Sequence, residues 1–379
     1  MKLNLSIMQL TDNFLPIIGG KQLVVHNLSK KLNSILKNNS VVVNNFSGQI
    51  NHKLPYKVNF NPLSVWPIKG IGYYVYLAYN ILNSRYNLIH AHRTYPAGYN
   101  AVKLGKLFRI PVVITPHGDD ILTVKSINYG INLNSRIKKK SIYALNNASA
   151  VVAINNGIKN KIIEYGVNPK NVHCIPIGID SRSFNKFKPS KNIIAVGRNH
   201  PIKDYITLLE AISIIVKKDV NVNCTIIGKD SHHLMDKVIS LGISKNVKLM
   251  DEISPSIDNG IPRELLKVFS ECGIYVSSSL SESFSLTILE AMSVGLPIVA
   301  TNTIGAKELV INGKNGFIIP KNNPDIMANQ ILKLLRDKNL QKEFGKYSLF
   351  EAKKVKYTWH NIALKHINLY QELTKIRGY

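Results

Sequence analysis

The sequence predicts an α/β protein built from two doubly wound halves. Short apolar, β-branched runs alternate along the chain with amphipathic segments, the pattern of parallel strands buried on both faces and joined by crossover helices. The length of 379 residues exceeds one ordinary core of roughly 150 residues. Between residues 171 and 190, turn residues and charge replace periodic structure for about ten positions, which places the division near 180–190.

Taken in order, "MKLNLSIMQLTDN" alternates apolar and polar residues and reads as a first strand, not as a signal peptide. It leads through "LPIIGGK" into a helix over 21–36. The stretch "VWPIKGIGYYVYLAYNILN" (65–83) is broken by Pro67, Lys69 and Gly72, short of the ~20 apolar residues that span a bilayer but able to lie on one. "LIHAH" (88–92), "VVITPHG" (112–118) and "AVVAIN" (150–155) complete the strands expected of the first half. "NIIAVGR" (192–198), "NCTIIG" (223–228), "GIYVSSS" (273–279) and "PIVATN" (297–302) supply the second. A helix through "LEAMSV" stops at Gly295, and Pro297 begins the next strand. "MANQILKLLRD" (327–337) and "HNIALKHINLYQELTKI" (360–376) carry helical apolar spacing and would cover sheet faces or bridge the halves. The expected division is residues 1–185, residues 186–350, and a C-terminal helical segment over 351–379. We find no internal repeat.

With 45% hydrophobic and 19% charged residues, the chain is neither disordered nor a polytopic membrane protein. Cys174, Cys224 and Cys272 stand singly in apolar stretches with no metal-like spacing and read as buried free thiols of a reducing compartment. The net charge is +26 and unevenly spread. Residues 1–180 hold 21 Lys and Arg against five acids, and the remainder holds 28 against 18. A first half this basic suits nucleic acid, an anionic membrane face or a phosphorylated substrate, and it equally serves solubility.

In open parallel sheets, ligands sit beyond the carboxyl ends of the strands, where loops diverge and helix N-termini present N–H groups. The unusual residues fall there. The first strand leads to Gly19-Gly20, where the backbone can approach an anion or simply turn. "VVIT" leads to His117, and "NIIAV" leads to Gly197-Arg198 with Lys203 beyond. Arg198 and Lys203 suit a diphosphate, though solvated cations at loop ends are common. His90 and His92 lie within an apolar strand and read as core or supporting groups.

The segment "SSSLSESFSLTILEAMSVGLPIVAT" (277–301) is more specific. Glu282 and Glu290 bracket seven uncharged residues in a chain otherwise dominated by cations. If a helix starts near Ser285, then Leu286 and Thr287 offer amides at its positive end for phosphate oxygens. Eight positions at helical rise make about 12 Å, the reach of a nucleotide diphosphate sugar from hexose to ribose. A capped helix with two surface glutamates accounts for the same spacing.

Together these residues resemble the family 4 glycosyltransferases, whose hallmark is Glu, seven residues, Glu, here "ESFSLTILEAMSVGLPIVA". The resemblance extends in order over "LPIIGGKQLVVHNLSKKL", "NLIHAHRTYPAGYNAVKLGKLFRIPVVITPHGDD", "ASAVVAINNGIKNKIIEYGV", "CIPIGIDSRSF", "VGRNHPIKDYITLLEAI" and "IGAKELVINGKNGFIIP". It implies the GT-B fold, two doubly wound Rossmann-like domains facing each other across a cleft, with acceptor on the first and nucleotide sugar on the second. The roles it implies are these. Glu282, with the backbone around Ser283, Phe284 and Ser285, holds the donor sugar, and Glu290 holds the ribose. Arg198, beside Gly197, and Lys203 hold the diphosphate and stabilise its departure. His117 faces the sugar near its 6-position, and Gly19 and Gly20 close on the phosphates. Two departures stand out: Ser283 replaces the usual Gly, and Lys21 stands where many relatives have Glu.

The activity so implied is retaining hexosyl transfer from a nucleotide sugar to a glycan or lipid-linked acceptor, in cell-surface polysaccharide synthesis. A separation of about 12 Å exceeds the roughly 5–9.5 Å of paired hydrolase carboxylates, so the glutamates would orient the donor. Neither cofactor nor metal is called for, since cationic side chains supply the positive charge. The expected location is cytoplasmic, with the basic half on the inner membrane face. A sugar phosphorylase or nucleotide-sugar epimerase of the same fold remains an alternative. A nucleic-acid-binding protein would explain charge alone, without any recognisable module, and nucleic acid is not an expected partner.

Overall fold

A computed structural model describes residues 2–45, 50, 53–62, 69–179, 187–218, 221–254 and 260–375. The chain forms two Rossmann-like units, one of Met1–Gly178 with Trp359–Tyr379 and one of Ile179–Thr358. The expected boundary at 185/186 and the start of the stretch at 65–83 lie outside the described residues.

Unit 1 contains β1 (Leu3–Thr11), α1 (Gly20–Ile35), β2 (Leu36–Val43), β3 (Lys57–Phe60), α2 (Lys69–Ser84), β4 (Leu88–Ala91), α3 (Tyr99–Phe108), β5 (Val112–Ile114), α4 (Ser135–Asn147), β6 (Ala150–Ala153), α5 (Asn156–Glu164) and β7 (Val172–Cys174). Its sheet runs β3-β2-β1-β4-β5-β6-β7, with every neighbouring pair parallel. Strand order reverses between β1 and β4, the switch point at which loops leave in opposite directions.

Unit 2 contains β8 (Asn192–Val196), α6 (Tyr205–Val216), β9 (Asn223–Ile227), α7 (Met235–Ser240), β10 (Val247–Met250), α8 (Arg263–Glu271), β11 (Ile274–Ser277), α9 (Leu286–Ser293), β12 (Ile298–Thr301), α10 (Ile304–Leu309), β13 (Gly316–Ile319), α11 (Pro324–Arg336) and α12 (Lys338–Ala352). Its sheet order is β10-β9-β8-β11-β12-β13, again parallel. The reversal here lies between β8 and β11. Ile193, Ile226, Val276 and Val299 of its strands pack with Leu208 and Ile212 of α6 and Ile331 of α11 in one core, as expected of strands covered on both faces.

A final helix, α13 (Trp359–Lys375), returns to unit 1 and packs on α1. Its Tyr370 hydroxyl bonds His90 Nδ1 of β4 at 2.7 Å. The abundant asparagines have a structural use at helix starts. Asn134, Asn155 and Asn323 accept backbone N–H bonds at the starts of α4, α5 and α11, supplying partners that the helix cannot. The cysteine expectation needs one correction. Cys224 and Cys272 are buried, but Cys174 is exposed, because it closes β7, the edge strand of its sheet.

Candidate functional site

At the switch point of unit 2, the loops after β8 and β11 bring a cation and an acid together. Lys203 Nζ donates to Glu282 Oε1 at 2.6 Å, with the side chains 21% and 15% exposed. Ser279 Oγ donates to the same carboxylate oxygen at 3.0 Å. The loops are also tied by Ser278 Oγ donating to Lys203 O at 2.7 Å and by Leu280 N donating to Ile202 O at 2.8 Å. Beneath Glu282, Gly305 N of α10 donates to its carbonyl at 2.8 Å. The pair is therefore positioned by two strands, a short helix and a serine, so little ordering cost is left to binding.

Gly197 closes β8 at φ +153°, in the range that favours glycine. A Cβ there would stand 2.9 Å from Lys203 Cε. Beside it, Arg198 is exposed. Ser283, the departure from the usual Gly, is buried and is not among the positive-φ residues, so serine fits without strain.

The helix expected near Ser285 is α9, with Ser285 Oγ accepting from Ile288 N at 3.3 Å. Leu286 and Thr287 form its first turn, and the Thr287 hydroxyl accepts from Tyr275 OH at 2.7 Å. Because helical geometry begins only at Leu286, helical rise applies to the Leu286–Glu290 portion alone, about 6 Å, and the 12 Å estimate for the whole Glu282–Glu290 span does not follow from it. The segment from Glu282 to Ser285 is loop. Phe284 is buried near Tyr357, with 6.4 Å between ring centroids.

Glu290 is partly accessible while its carboxyl group is surrounded by protein, and that desolvation pushes its pKa up to about 7. The consequence for stability has a definite sign. An acid whose folded pKa lies above its unfolded value binds more protons when folded, so stability falls as pH rises from about 4.5 to about 7. Replacing Glu290 by Gln removes this cost. We expect the variant to gain ~1–3 kcal/mol over wild type at pH 8 and nothing at pH 4.5, measured by urea unfolding. Equal stability of the two chains at both pH values would refute the desolvation.

In unit 1, His117 follows β5 and is held by its neighbours. Asp120 Oδ1 accepts from His117 N at 2.9 Å and from Gly118 N at 3.0 Å. His92 Nδ1 lies 3.1 Å from His117 Nε2, and His92 Nε2 lies 2.8 Å from Gln9 Oε1. A carbonyl oxygen only accepts, so neutral His92 carries its proton on Nε2 and receives one from His117 Nε2. Burial lowers the His117 pKa to about 4 and holds His90 and His92 well below the usual imidazole range. Gly19 is the N-cap of α1 at φ −175°, extended backbone open to any residue, and Gly20 begins the helix.

Sequence reasoning did not single out the acids of unit 1. Only five acids occur in the first 180 residues, and Asp12, Asp119 and Asp120 all follow strands that flank or neighbour the switch point. That rarity was a signal. The serines behind Glu282 had none, since Ser278 and Ser279 look like any polar loop.

The geometry can be set beside known proteins. Residues 177–349 match the family of glycosyl transferases group 1, and residues 18–183 match glycosyltransferase family 4. An uncharacterized glycosyltransferase of Methanocaldococcus jannaschii is 28% identical over 371 residues, covering 95% of this chain and 97% of that one. The capsular polysaccharide biosynthesis glycosyltransferase CapM of Staphylococcus aureus is 25% identical over 284 residues, 68% of this chain and 72% of that one. The crystal structure of HepE of Anabaena with UDP-glucose superposes with a TM-score of 0.78 at 20% identity, over 97% of this chain and 100% of that one; this likeness shows a shared fold.

Proposed function

The chain belongs to the group 1 glycosyl transferases, and from that premise we propose that it moves a hexose from a nucleotide diphosphate sugar to an acceptor hydroxyl with retention of configuration. The observation that supports this most is the Lys203–Glu282 pair at the β8/β11 switch point. Glu282 takes hydroxyls of the hexose, which carboxylates accept in pairs. Lys203 and Arg198, with the amides of Leu286 and Thr287, take the diphosphate, and Glu290 takes the ribose. His117, Gly19 and Gly20 take the roles that the family resemblance implies for them. As the bond from the anomeric carbon to the diphosphate oxygen breaks, an acceptor oxygen bonds to that carbon on the same face. The acceptor's proton passes to the departing diphosphate. Positive charge already in place lowers the cost of that departure without rearrangement, so no divalent metal is required.

A thermal-shift screen of nucleotide sugars with and without EDTA tests the reading, starting with UDP-glucose, with which HepE was crystallised. Binding of no nucleotide sugar would sink it. A glycan acceptor in surface polysaccharide synthesis draws support from the likeness to CapM.

We extend the proposal to a lipid-linked acceptor at an anionic membrane. Among the described residues no helix is long and apolar enough to cross a membrane. On α2, however, Val75, Tyr79 and Leu82 are 56%, 62% and 66% exposed at a spacing that puts them on one stripe. Helix α3, packed against α2, carries Lys103, Lys106 and exposed Leu107. An apolar stripe beside lysines suits the headgroup layer of an anionic bilayer. Vesicles of phosphatidylcholine with phosphatidylglycerol should pellet the chain at low salt, and Tyr79→Asp with Leu82→Asp should reduce the bound fraction at least fivefold. Equal pelleting of the double variant would overturn the assignment of this face.

A further inference from the structure

Two amides sit inside the parallel sheet of unit 1, Gln9 in β1 and Asn39 in β2. They are 0% and 2% exposed, in strands whose buried positions are ordinarily apolar. They belong to a hydrogen-bonded chain that ends at His117. Asn39 Nδ2 donates to Ser29 O of α1 at 3.3 Å, and Gln9 Nε2 donates to Asn39 Oδ1 at 3.3 Å. His92 Nε2 donates to Gln9 Oε1 at 2.8 Å, and His117 Nε2 donates to His92 Nδ1 at 3.1 Å. The chain thus runs from a buried helix carbonyl to a partly accessible imidazole at the end of β5.

The direction of the chain is set at its inner end. A backbone carbonyl only accepts, so Asn39 turns its nitrogen to Ser29 O and its oxygen to Gln9. Gln9 must then turn its nitrogen to Asn39 and its oxygen to His92. Each imidazole in turn carries its proton on Nε2, and the lone pair of His117 falls on Nδ1. Reversing both rings would set the Nε2 lone pair of His92 against the Gln9 oxygen, where His92 is 1% exposed and the lost bond goes uncompensated. His90 makes the contrast. Its partners are the hydroxyls of Thr115 and Tyr370, both at 2.7 Å, and a hydroxyl donates or accepts as required, so nothing dictates the tautomer of that ring. Burial holds His92 well below the usual imidazole range and lowers the His117 pKa to about 4. Near neutral pH both rings are therefore uncharged, and what the chain decides is which nitrogen holds the proton.

We propose that Gln9 and Asn39 are positioning residues that fix His117 as a hydrogen-bond acceptor at Nδ1, so that the protein selects a nucleotide sugar with a 6-hydroxyl and rejects the corresponding hexuronic acid. This rests on the transferase reading, in which His117 faces the hexose near its 6-position, and adds to it the class of sugar transferred and the buried residues that choose it. A hydroxyl donates to the Nδ1 lone pair, whereas a carboxylate oxygen is repelled by it. A ring free to carry its proton on Nδ1 would receive the carboxylate instead.

The test takes two measurements on the full chain at pH 8. With nitrogen-15 in the histidines, long-range proton–nitrogen correlation NMR tells the tautomers apart, and His117→Phe assigns the His117 signals. Wild-type His92 and His117 should both be protonated at Nε2 and bare at Nδ1. Gln9→Met keeps the length of the side chain and removes both of its hydrogen bonds, and it should leave His117 in a mixture of the two forms. Asn39→Leu, which lets the Gln9 amide turn over, should do the same. A structural role alone would lower the thermal midpoint of these variants and leave the His117 tautomer as it was. The second measurement compares the affinities of UDP-glucose, UDP-galactose, UDP-N-acetylglucosamine and GDP-mannose with those of their 6-carboxylate counterparts. At least one hexose should bind wild type roughly a hundredfold more tightly than its uronate, and that ratio should narrow roughly tenfold in whichever variant folds. A proton on Nδ1 of wild-type His117 overturns the proposal, as does a uronate bound as well as its hexose or a ratio that both variants leave unchanged. If none of the four hexoses binds, the transferase reading falls and the sugar selection with it, while the tautomers still decide separately whether Gln9 and Asn39 set His117.

Discussion

Replacing Glu282 by Gln should lower kcat/KM for transfer at least a hundredfold and leave the fold in place. The substitution preserves shape and the acceptor oxygen for Ser279, so the loop stays as Ser278, Leu280 and Gly305 hold it. What is lost is the charge that pairs with Lys203 at 2.6 Å and that would receive two sugar hydroxyls. Hydrogen bonds to charged groups are about twice as strong as neutral ones, and losing one preorganised electrostatic contact in an active site costs about 10²–10³ in rate. The stability cost is smaller, about 1 kcal/mol, because both side chains retain contact with water. Steady-state nucleotide release and a urea titration separate the two effects. Near-wild-type turnover would remove Glu282 from the mechanism.

The second large effect is on stability. Gly228→Ala should cost about 3–5 kcal/mol, a large part of a typical 5–15 kcal/mol. Gly228 closes β9 at φ +157°, and a Cβ there would lie 2.0 Å from the carbonyl oxygen of Gly197. The clash is with backbone, and neither partner can retreat. Gly197 N is bonded to Ile227 O at 2.8 Å, and Gly228 N to Met250 O at 3.0 Å. Relief would come only by shifting Gly197 and Arg198, so transfer should fall beyond the stability loss. The midpoint of urea unfolding measures it. A decrease under 1 kcal/mol would mean that the two strand ends are freer than their hydrogen bonds imply.

Much of this architecture is legible in the sequence because buried parallel strands are written as uninterrupted apolar runs. "NIIAV" and "AVVA" admit little else. β2 was not legible in the same way. It begins Leu36-Lys37-Asn38-Asn39-Ser40, and those polar residues are in the strand because Asn38 and Asn39 bond Ser6 and Gln9 across the pair. Only partners distant in sequence reveal that. β10, "VKLM", is too short for its period to declare itself.

The candidate site divides along similar lines. Glu282 and Glu290 could be read because acids are rare in a basic chain and their spacing is distinctive. Their different surroundings could not. One is paired with Lys203 and the other is desolvated, differences set by residues far away in the chain. Asp12 was invisible for the same reason, since "LTDN" looks like a surface turn, yet the folded chain buries it.

The return of α13 to unit 1 has a consequence for how the polypeptide is made. Unit 2 lies within the sequence of unit 1, and the two connecting segments meet where Ile179 N bonds Tyr357 O at 2.7 Å. On the ribosome, residues 1–178 emerge first yet lack the helix whose Tyr370 bonds His90 and whose Trp359 packs on Gly178. Unit 2 is complete some twenty residues before α13 is fully synthesised. Unit 1 is thus translated first and finished last, and until α13 arrives the α1 surface and His90 await their cover.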